Sequence, residues 1–322
     1  MADQKIIAVC GATGAQGGGL VEAILSEPNS GFVARAITRD PSKAGAKALA
    51  ARGAEVVQAE LDDVESLKRA FAGAYGVYGV TAFWDYFSAA REQSQARNIA
   101  EAARHADVQH IVWSTLEDTR KYMAADDTRM PILEGKYRVP HMDGKDEANA
   151  SFQGLPATFL VTTFYWDNFY SVGLGPRKGS DGQYEWALPM GDSKLVGIAV
   201  EDIGIVAYGI FKAGASYIGK TAGIYGEALT VREMAEKISQ ATGLGPIRYN
   251  AITPDVFRSA HTKETDEMGN MFQVFRDFPQ EFQAARSSEV ARQLYPRLQS
   301  FDQFLAKHKD QMIAAMNAAP AW

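Results

Sequence analysis

Glycine occupies every third position of Gly11-Ala12-Thr13-Gly14-Ala15-Gln16-Gly17. An apolar, β-branched run at 5–10 precedes this stretch. A helical pattern follows, with Leu20, Val21, Ile24 and Leu25 on one side. Strand, glycine turn and helix in that order form a pyrophosphate cradle: the glycines let the backbone turn tightly and approach the ligand, and the helix N-terminus offers free N–H groups. A glycine triplet alone is weak; its place between a strand and a helix gives it meaning. The second chemical signal lies after the strand at 32–38, where Arg39 and Lys43 stand. An acidic residue there would accept from the ribose 2′-OH of NAD, whereas cations pair with the 2′-phosphate of NADP, so the cofactor reading is NADP(H). Asp40 beside them reads as the cap of a helix beginning at Pro41. A third signal is His141 and Lys145, four residues apart in a helical stretch at 141–151 and therefore on one face: a group that can exchange a proton near neutral pH beside a fixed cation.

The elements that must position these groups alternate regularly. Strand patterns at 54–58, 76–81, 109–113 and 157–162 are separated by helical ones at 42–52, 64–72 and 92–105, and this implies a parallel sheet with right-handed crossovers. Strand ends on one side of such a sheet line the cofactor crevice, so Glu60 and Leu61 are read as the adenine edge, with Asp62 or Asp63 capping the next helix. The fourth strand runs into Phe83, Trp84, Tyr86 and Phe87, and the sixth into Phe164, Tyr165 and Trp166, so aromatic residues crowd two strand ends. Between them, 119–140 loses periodicity and reads as a mobile flap over the cleft. Beyond 171, glycines punctuate short strands at 183–188 and 196–199. A helix at 200–213, a strand at 222–225, a helix at 230–242 opened by Thr230 and Glu233, and helical stretches at 254–259, 269–277 and 301–315 follow. The expected architecture is α/β: a Rossmann-type doubly wound parallel sheet over residues 1–165, to which segments at about 190–225 return, and a smaller C-terminal α/β lobe over 166–322 for substrate or partner.

Bulk properties exclude other classes. The chain has 322 residues, 46% hydrophobic and 22% charged, with a net charge of −6, which argues against a dedicated nucleic-acid binder. Its one cysteine, Cys10, lies in the first strand and can form no disulfide framework. No apolar run reaches membrane-spanning length, and no signal-peptide pattern opens the chain, so a cytoplasmic protein is expected. The five histidines (105, 110, 141, 261 and 308) have no metal-ligand spacing, and no metal is expected. The stretch 214–221 matches G-x-x-x-x-G-K-[ST], but a helix precedes it and a strand follows, the reverse of what phosphate binding by that motif requires.

With these residues laid out, the chain resembles the NmrA-like family, a branch of the atypical short-chain dehydrogenase/reductases. The resemblance rests on GATGAQGG at 11–18, TRDPSK at 38–43, GAEVVQ at 53–58, VTAFW at 80–84, Trp113-Ser114 with Leu116-Glu117, HMDGK at 141–145, YWDN at 165–168, Gly191-Asp192 and VEDIG at 200–204. It implies NADP binding, with residues Gly11 to Gln16 at the pyrophosphate, Arg39 and Lys43 at the 2′-phosphate, and Glu60 and Leu61 at the adenine. Thr81, Ala82 and Phe83 would lie along the cofactor, Lys145 at the nicotinamide ribose, and Tyr165, Trp166, Asp167 and Asn168 at the nicotinamide end. Two positions depart from the family: Glu60 replaces its usual Asp, and Ser94 stands where a lysine is usual.

Classical members of the wider superfamily donate a proton from the Tyr of Y-x-x-x-K. Here the corresponding pair is His141 and Lys145, so the usual acid is missing. Two functions remain open. The missing tyrosine favours a redox sensor that reads NADPH/NADP+ and changes a regulatory protein partner. The aromatic strand ends Phe83, Trp84, Phe87, Phe164, Tyr165 and Trp166 favour an NADPH-dependent reductase of a small quinone, carbonyl or similar acceptor, with His141 and Lys145 as the catalytic pair. A homodimer is one option for the assembly; direct binding of nucleic acid or membrane is not expected.

Overall fold

The computed structural model describes residues 4–318. Its first half alternates strands and helices, with two helices between β4 and β5: β1 (Lys5–Val9), α1 (Ala15–Leu25), β2 (Phe32–Thr38), α2 (Ala44–Ala51), β3 (Glu55–Gln58), α3 (Val64–Phe71), β4 (Gly76–Gly79), α4 (Phe83–Tyr86), α5 (Ala89–His105), β5 (His110–Thr115), α6 (Pro140–Ala148) and β6 (Ala157–Val161). The second half adds β7 (Phe164–Tyr165), α7 (Asn168–Ser171), β8 (Arg177–Lys178), β9 (Tyr184–Leu188), β10 (Lys194–Ile198), α8 (Val200–Ala213), β11 (Thr221–Gly223), β12 (Glu227–Thr230), α9 (Val231–Thr242) and β13 (Ile247–Ala251). Five helices close the chain: α10 (Pro254–Arg258), α11 (Lys263–Asp277), α12 (Pro279–Ala284), α13 (Ser288–Leu294) and α14 (Phe301–Ala318).

Seven strands form one parallel sheet in the order β11-β6-β5-β4-β1-β2-β3. The chain runs outward from β1 to β3 and then crosses back to β4, so the strand order reverses between β1 and β4. A crevice opens at the C-terminal strand ends at such a point. Both faces are covered. Leu67, Phe71, Ala96 and Ile99 of α3 and α5 pack one face, and Leu20, Val21 and Ile24 of α1 with Ile203, Val206 and Phe211 of α8 pack the other.

Helix α8 comes from the second half, and glycine brings it home. A Cβ on Gly204 would lie 2.2 Å from the Leu20 nitrogen, and one on Gly19 would lie 2.5 Å from the Glu201 oxygen. Only residues without a Cβ allow the two backbones to touch. With β11 added to the sheet edge, the Rossmann unit draws on 200–223 as well as on the first half. The lobe has its own core, built from Trp166, Phe169, Trp186, Met234, Phe272, Phe282, Phe301 and Phe304, and two three-stranded sheets, β12-β10-β7 and β13-β9-β8.

Local signals explain most boundaries. Asp63 accepts from the N–H groups of Glu65 and Ser66 at the start of α3, and Thr230 with Glu233 forms a reciprocal capping box on α9. Asp40 does not cap α2. Its Oδ1 accepts from the Ser42 N–H (2.8 Å) and hydroxyl (2.6 Å), closing a turn of its own, and the helix begins three residues after Pro41, with Lys43 at the N-cap. Where the sequence reads a mobile flap, the structure has a fastened loop. Buried Asp143 accepts from the N–H groups of Thr119, Arg138 and Val139, and Asn270 of α11 donates to the carbonyls of Pro131 (3.0 Å) and Arg138 (2.6 Å). In the 214–221 stretch a 3-10 turn, Gly214–Tyr217, joins α8 to β11, so the order is helix, loop, strand.

His110 in β5 is fully buried. Its Nε2 meets the Thr158 hydroxyl at 2.9 Å, and Nδ1 has no partner among the described residues. Burial pushes its pKa down from 6.5 to about 4. The unfolded chain therefore binds the extra proton, and stability from this group is complete above about 6.5 and is lost as pH falls towards 4. Asp202, held near 6 chiefly by burial, has the opposite slope: its contribution is present below the unfolded carboxylate value and fades as pH rises through about 6. We expect His110→Gln to remove the first slope. Relative to its own value at pH 7, the wild type should lose on the order of 2 kcal/mol more than the variant at pH 5. Urea unfolding at the two pH values checks this.

Candidate functional site

The loop after β1 opens the crevice. Gly11 has φ +63°, a left-handed conformation that suits glycine, and a Cβ on Gly17 would lie 2.4 Å from the Gly11 oxygen and 2.8 Å from the Cys10 oxygen. Both are backbone atoms, so no side chain fits at 17. Helix α1 starts at Ala15 with no side-chain cap and no acidic residue in its first turn, which leaves its N-terminus open to an anion. Thr13, Gly14 and Ala15 are exposed along this rim, whereas Ala12 and Gly17 are buried beneath it. These features fit the pyrophosphate of a dinucleotide.

Gln16 turns inward. Its Oε1 accepts from the Tyr78 hydroxyl (2.5 Å) and the Ser114 hydroxyl (2.8 Å), and its Nε2 donates to the Tyr165 hydroxyl. One carboxamide thereby ties the start of α1 to β4, β5 and β7. Burial raises the pKa of both phenols.

At the expected adenosine side, Arg39 is exposed. Its guanidinium reaches the Tyr86 hydroxyl at 3.2 Å and the Asp85 carboxylate at 3.6 Å, both on α4. Arg91 of α5 lies over the Tyr86 ring, 3.4 Å from its centroid, and pairs with Asp62 at 2.7 Å. Two guanidinium groups therefore converge on one phenol. Lys43 stands at the start of α2. At the end of β3 the backbone is pinned: the Glu60 N–H donates to Ser66 Oγ at 3.0 Å, and the Leu61 carbonyl accepts from Asn98 at 2.8 Å. The Glu60 side chain is exposed.

Deeper in the crevice, Lys145 Nζ lies 2.8 Å from both Thr81 Oγ1 and Glu92 Oε1, and Thr81 donates to the same Glu92 oxygen at 2.7 Å. Glu92 is 2% exposed, and its other oxygen has no partner among the described residues. Ala82 opens α4, and Phe83 is buried beside His141, with ring centroids 5.8 Å apart.

His141 sits one turn before Lys145 on α6. No local side chain caps this helix. Glu267 of α11 does so from 126 residues away: its Oε1 accepts from the His141 backbone N–H at 2.9 Å and lies 2.5 Å from Nδ1 of the ring. The sequence reading missed both Glu267 and Glu92. Their only local marks are an acidic residue inside an apolar helix pattern.

An apolar cavity of about 390 Å³ opens beside this pair. Met142, Phe164, Met268, Met271, Phe275 and Phe282 supply its apolar wall, with Trp84, His141, Tyr165 and Asn168 also on the lining. Trp84 is 44% exposed and lies 5.0 Å from the His141 ring, centroid to centroid. Of the six aromatics expected at a pocket, Trp84, Phe164 and Tyr165 line the cavity, and Phe83 abuts His141. Trp166 packs into the lobe core against Phe301 and Phe304. Asp167 accepts from the Val200 N–H at 2.8 Å and so holds the start of α8. Among the described residues no cluster of acidic, histidine or cysteine side chains could hold a metal, and no helix is long and apolar enough to cross a membrane.

The family model described as NmrA-like family matches residues 3–305. The chain belongs to the NmrA-like family. A relative from Cladobotryum sp, named NmrA-like family domain-containing oxidoreductase FrzB, is 29% identical over 266 residues, covering 77% of this chain and 76% of the relative. Among solved structures, NmrA, described as a negative transcriptional regulator, has been seen in complex with NAD (TM-score 0.77) and with NADP (0.76), in each case at 23% identity and 95% coverage of both chains. The NADPH-dependent quinone oxidoreductase QOR2 from Escherichia coli, complexed with NADPH, has a TM-score of 0.71 at 22% identity, covering 94% of this chain and 99% of its own. At these identities the structural likeness is one of fold, and that fold is the Rossmann-type sheet the sequence implied.

Proposed function

We propose that this protein is an NADP(H)-dependent reductase of a small, largely apolar acceptor. The observation that carries the reading is the 390 Å³ apolar cavity that opens against His141 and Tyr165 at the expected nicotinamide end of the crevice. Gly11, Gly14 and Gly17 with the open start of α1 would hold the pyrophosphate, Arg39 and Lys43 the 2′-phosphate, and Lys145 the nicotinamide ribose. When bound, the reduced nicotinamide supplies hydride. The chain's own residues orient it, exclude water and exchange a proton with the acceptor. No lysine or arginine is among the residues lining the cavity, while Glu264 is, so an uncharged or cationic acceptor suits it better than an anionic one. The oxidoreductase names of relatives and the NADP and NADPH complexes of structural neighbours support the same reading.

A second reading, a sensor of NADPH/NADP+, has one specific observation in its favour. Arg39 holds Asp85 and Tyr86 on the same short helix that carries Trp84 at the cavity. Capture of a 2′-phosphate by Arg39 would release that helix and alter the surface beside it. The test is a fluorescence titration with NADPH and NADH, followed by 340 nm absorbance with a panel of quinone, carbonyl and iminium acceptors. Tight NADPH binding with turnover is the expected result. Tight binding without turnover would replace the reductase by the sensor, and no binding would end both.

A further inference from the structure

We infer that Glu267 is the positioning residue that makes His141 the proton-exchanging group of this site, so that a lobe helix completes the catalytic pair whose usual tyrosine is absent. The inference rests on the reductase reading and names the machinery within it.

The geometry is specific. A single Glu267 oxygen meets both the backbone N–H and the ring Nδ1 of His141, at 2.9 and 2.5 Å. Two contacts to one residue fix the position of the helix start and the rotation of the imidazole together. Glu267 is 2% exposed and does not line the cavity, whereas His141 does. The carboxylate therefore stands behind the ring. With Nδ1–H donated to Glu267, the other ring nitrogen, Nε2, is left on the side away from the carboxylate. Trp84 and Phe83 flank the ring at 5.0 and 5.8 Å and limit its alternatives. A carboxylate that holds one imidazole nitrogen and so selects the tautomer presented by the other is the arrangement used to orient histidine for proton transfer.

The step balances. An acceptor C=O gains hydride at carbon from the reduced nicotinamide, which is oxidised. The C=O π bond breaks, and its oxygen takes a proton from Nε2 of protonated His141. His141 is left neutral with Nδ1–H still donated to Glu267, and it regains the proton from solvent. Lys145, paired with Glu92 and Thr81 on the same helix face, is already committed to a second carboxylate and is left to the ribose.

Two variants separate charge from position. Glu267→Gln keeps an acceptor oxygen; Glu267→Leu removes it at similar volume. In the protein without acceptor, at a pH where the His141 ring is neutral, long-range 1H–15N NMR of the ring should show the Nδ1–H tautomer in the wild type and in Glu267→Gln, and a mixture in Glu267→Leu. In turnover, Glu267→Leu should lower kcat by on the order of 100-fold, with KM for the acceptor and NADPH affinity within about threefold. Glu267→Gln should retain most of the rate that Glu267→Leu loses. An unchanged tautomer in Glu267→Leu, or an unchanged kcat, overturns the inference while leaving the reductase standing. A parallel loss of NADPH affinity in Glu267→Leu would mark a purely structural role and overturn it too. Absence of turnover in the wild type, with NADPH bound, would end the reductase reading and the proton role together.

Discussion

Lys145→Met is expected to destabilise the protein by about 3–5 kcal/mol, before any effect on cofactor is counted. The reason lies with its partner. Glu92 is 2% exposed, Lys145 Nζ and Thr81 Oγ1 converge on one of its oxygens, and its second oxygen has no partner among the described residues. Methionine fills the volume of the lysine stem but removes the ammonium, which leaves a buried carboxylate with a single hydroxyl for company. Exposed ion pairs are worth under about 1 kcal/mol, but breaking a buried one from one side leaves an uncompensated charge. Glu92→Gln in the same background removes that charge, so the double variant should recover about 2 kcal/mol, a strong coupling in a double-mutant cycle. Urea unfolding of the four proteins measures it. A cost below about 1 kcal/mol for Lys145→Met would mean that Glu92 is not held as a buried anion. The result also governs how activity data are read: a Lys145 variant that fails to turn over has lost an anchor of α5 and α6 as well as the proposed ribose contact.

What was legible in the sequence is what local chemistry determines. Gly11 and Gly17 stand where a positive φ and a backbone contact demand glycine, and the strands that follow β1 are short apolar runs spaced between helical patterns. Arg39 and Lys43 could be placed because a strand end fixes its neighbours. Residues recruited across long sequence distances could not be placed. Glu267 reaches α6, Asn270 fastens the 119–140 loop, and Gln16 joins three hydroxyls from other strands; each bond spans between 62 and 149 residues. Periodicity cannot show such pairings. The same limit explains Trp166 and Asp167. Phe164 and Tyr165 of β7 line the cavity, while Trp166, the first residue past the strand, enters the lobe core against Gly197 and Gly226. An aromatic run at a strand end divides its members between two environments, and composition alone treats them as one.

Arg39→Asp should weaken NADPH binding by about 100-fold or more while leaving NADH within about threefold. Each tenfold is about 1.4 kcal/mol. Loss of a guanidinium–phosphate pair supplies about 1.5–3 kcal/mol, and the new carboxylate repels the 2′-phosphate in addition. The fold should tolerate the change. Arg39 is largely exposed, and its contacts to Asp85 at 3.6 Å and Tyr86 at 3.2 Å are surface interactions worth under about 1 kcal/mol. Those contacts carry a second consequence. Asp85 competes with a 2′-phosphate for the same guanidinium, so Asp85→Asn should tighten NADPH by about two- to threefold, within the range of one exposed ion pair, and leave NADH unchanged. Lys43→Ala should cost less than the Arg39 change, because a flexible ammonium holds phosphate as a point charge rather than through a planar fork. Paired fluorescence titrations of the three variants with NADPH and NADH distinguish the contributions. Equal losses for the two nucleotides in Arg39→Asp would move the 2′-phosphate site away from Arg39. Arg91, which shares the Tyr86 ring with Arg39, would then be the next group to change.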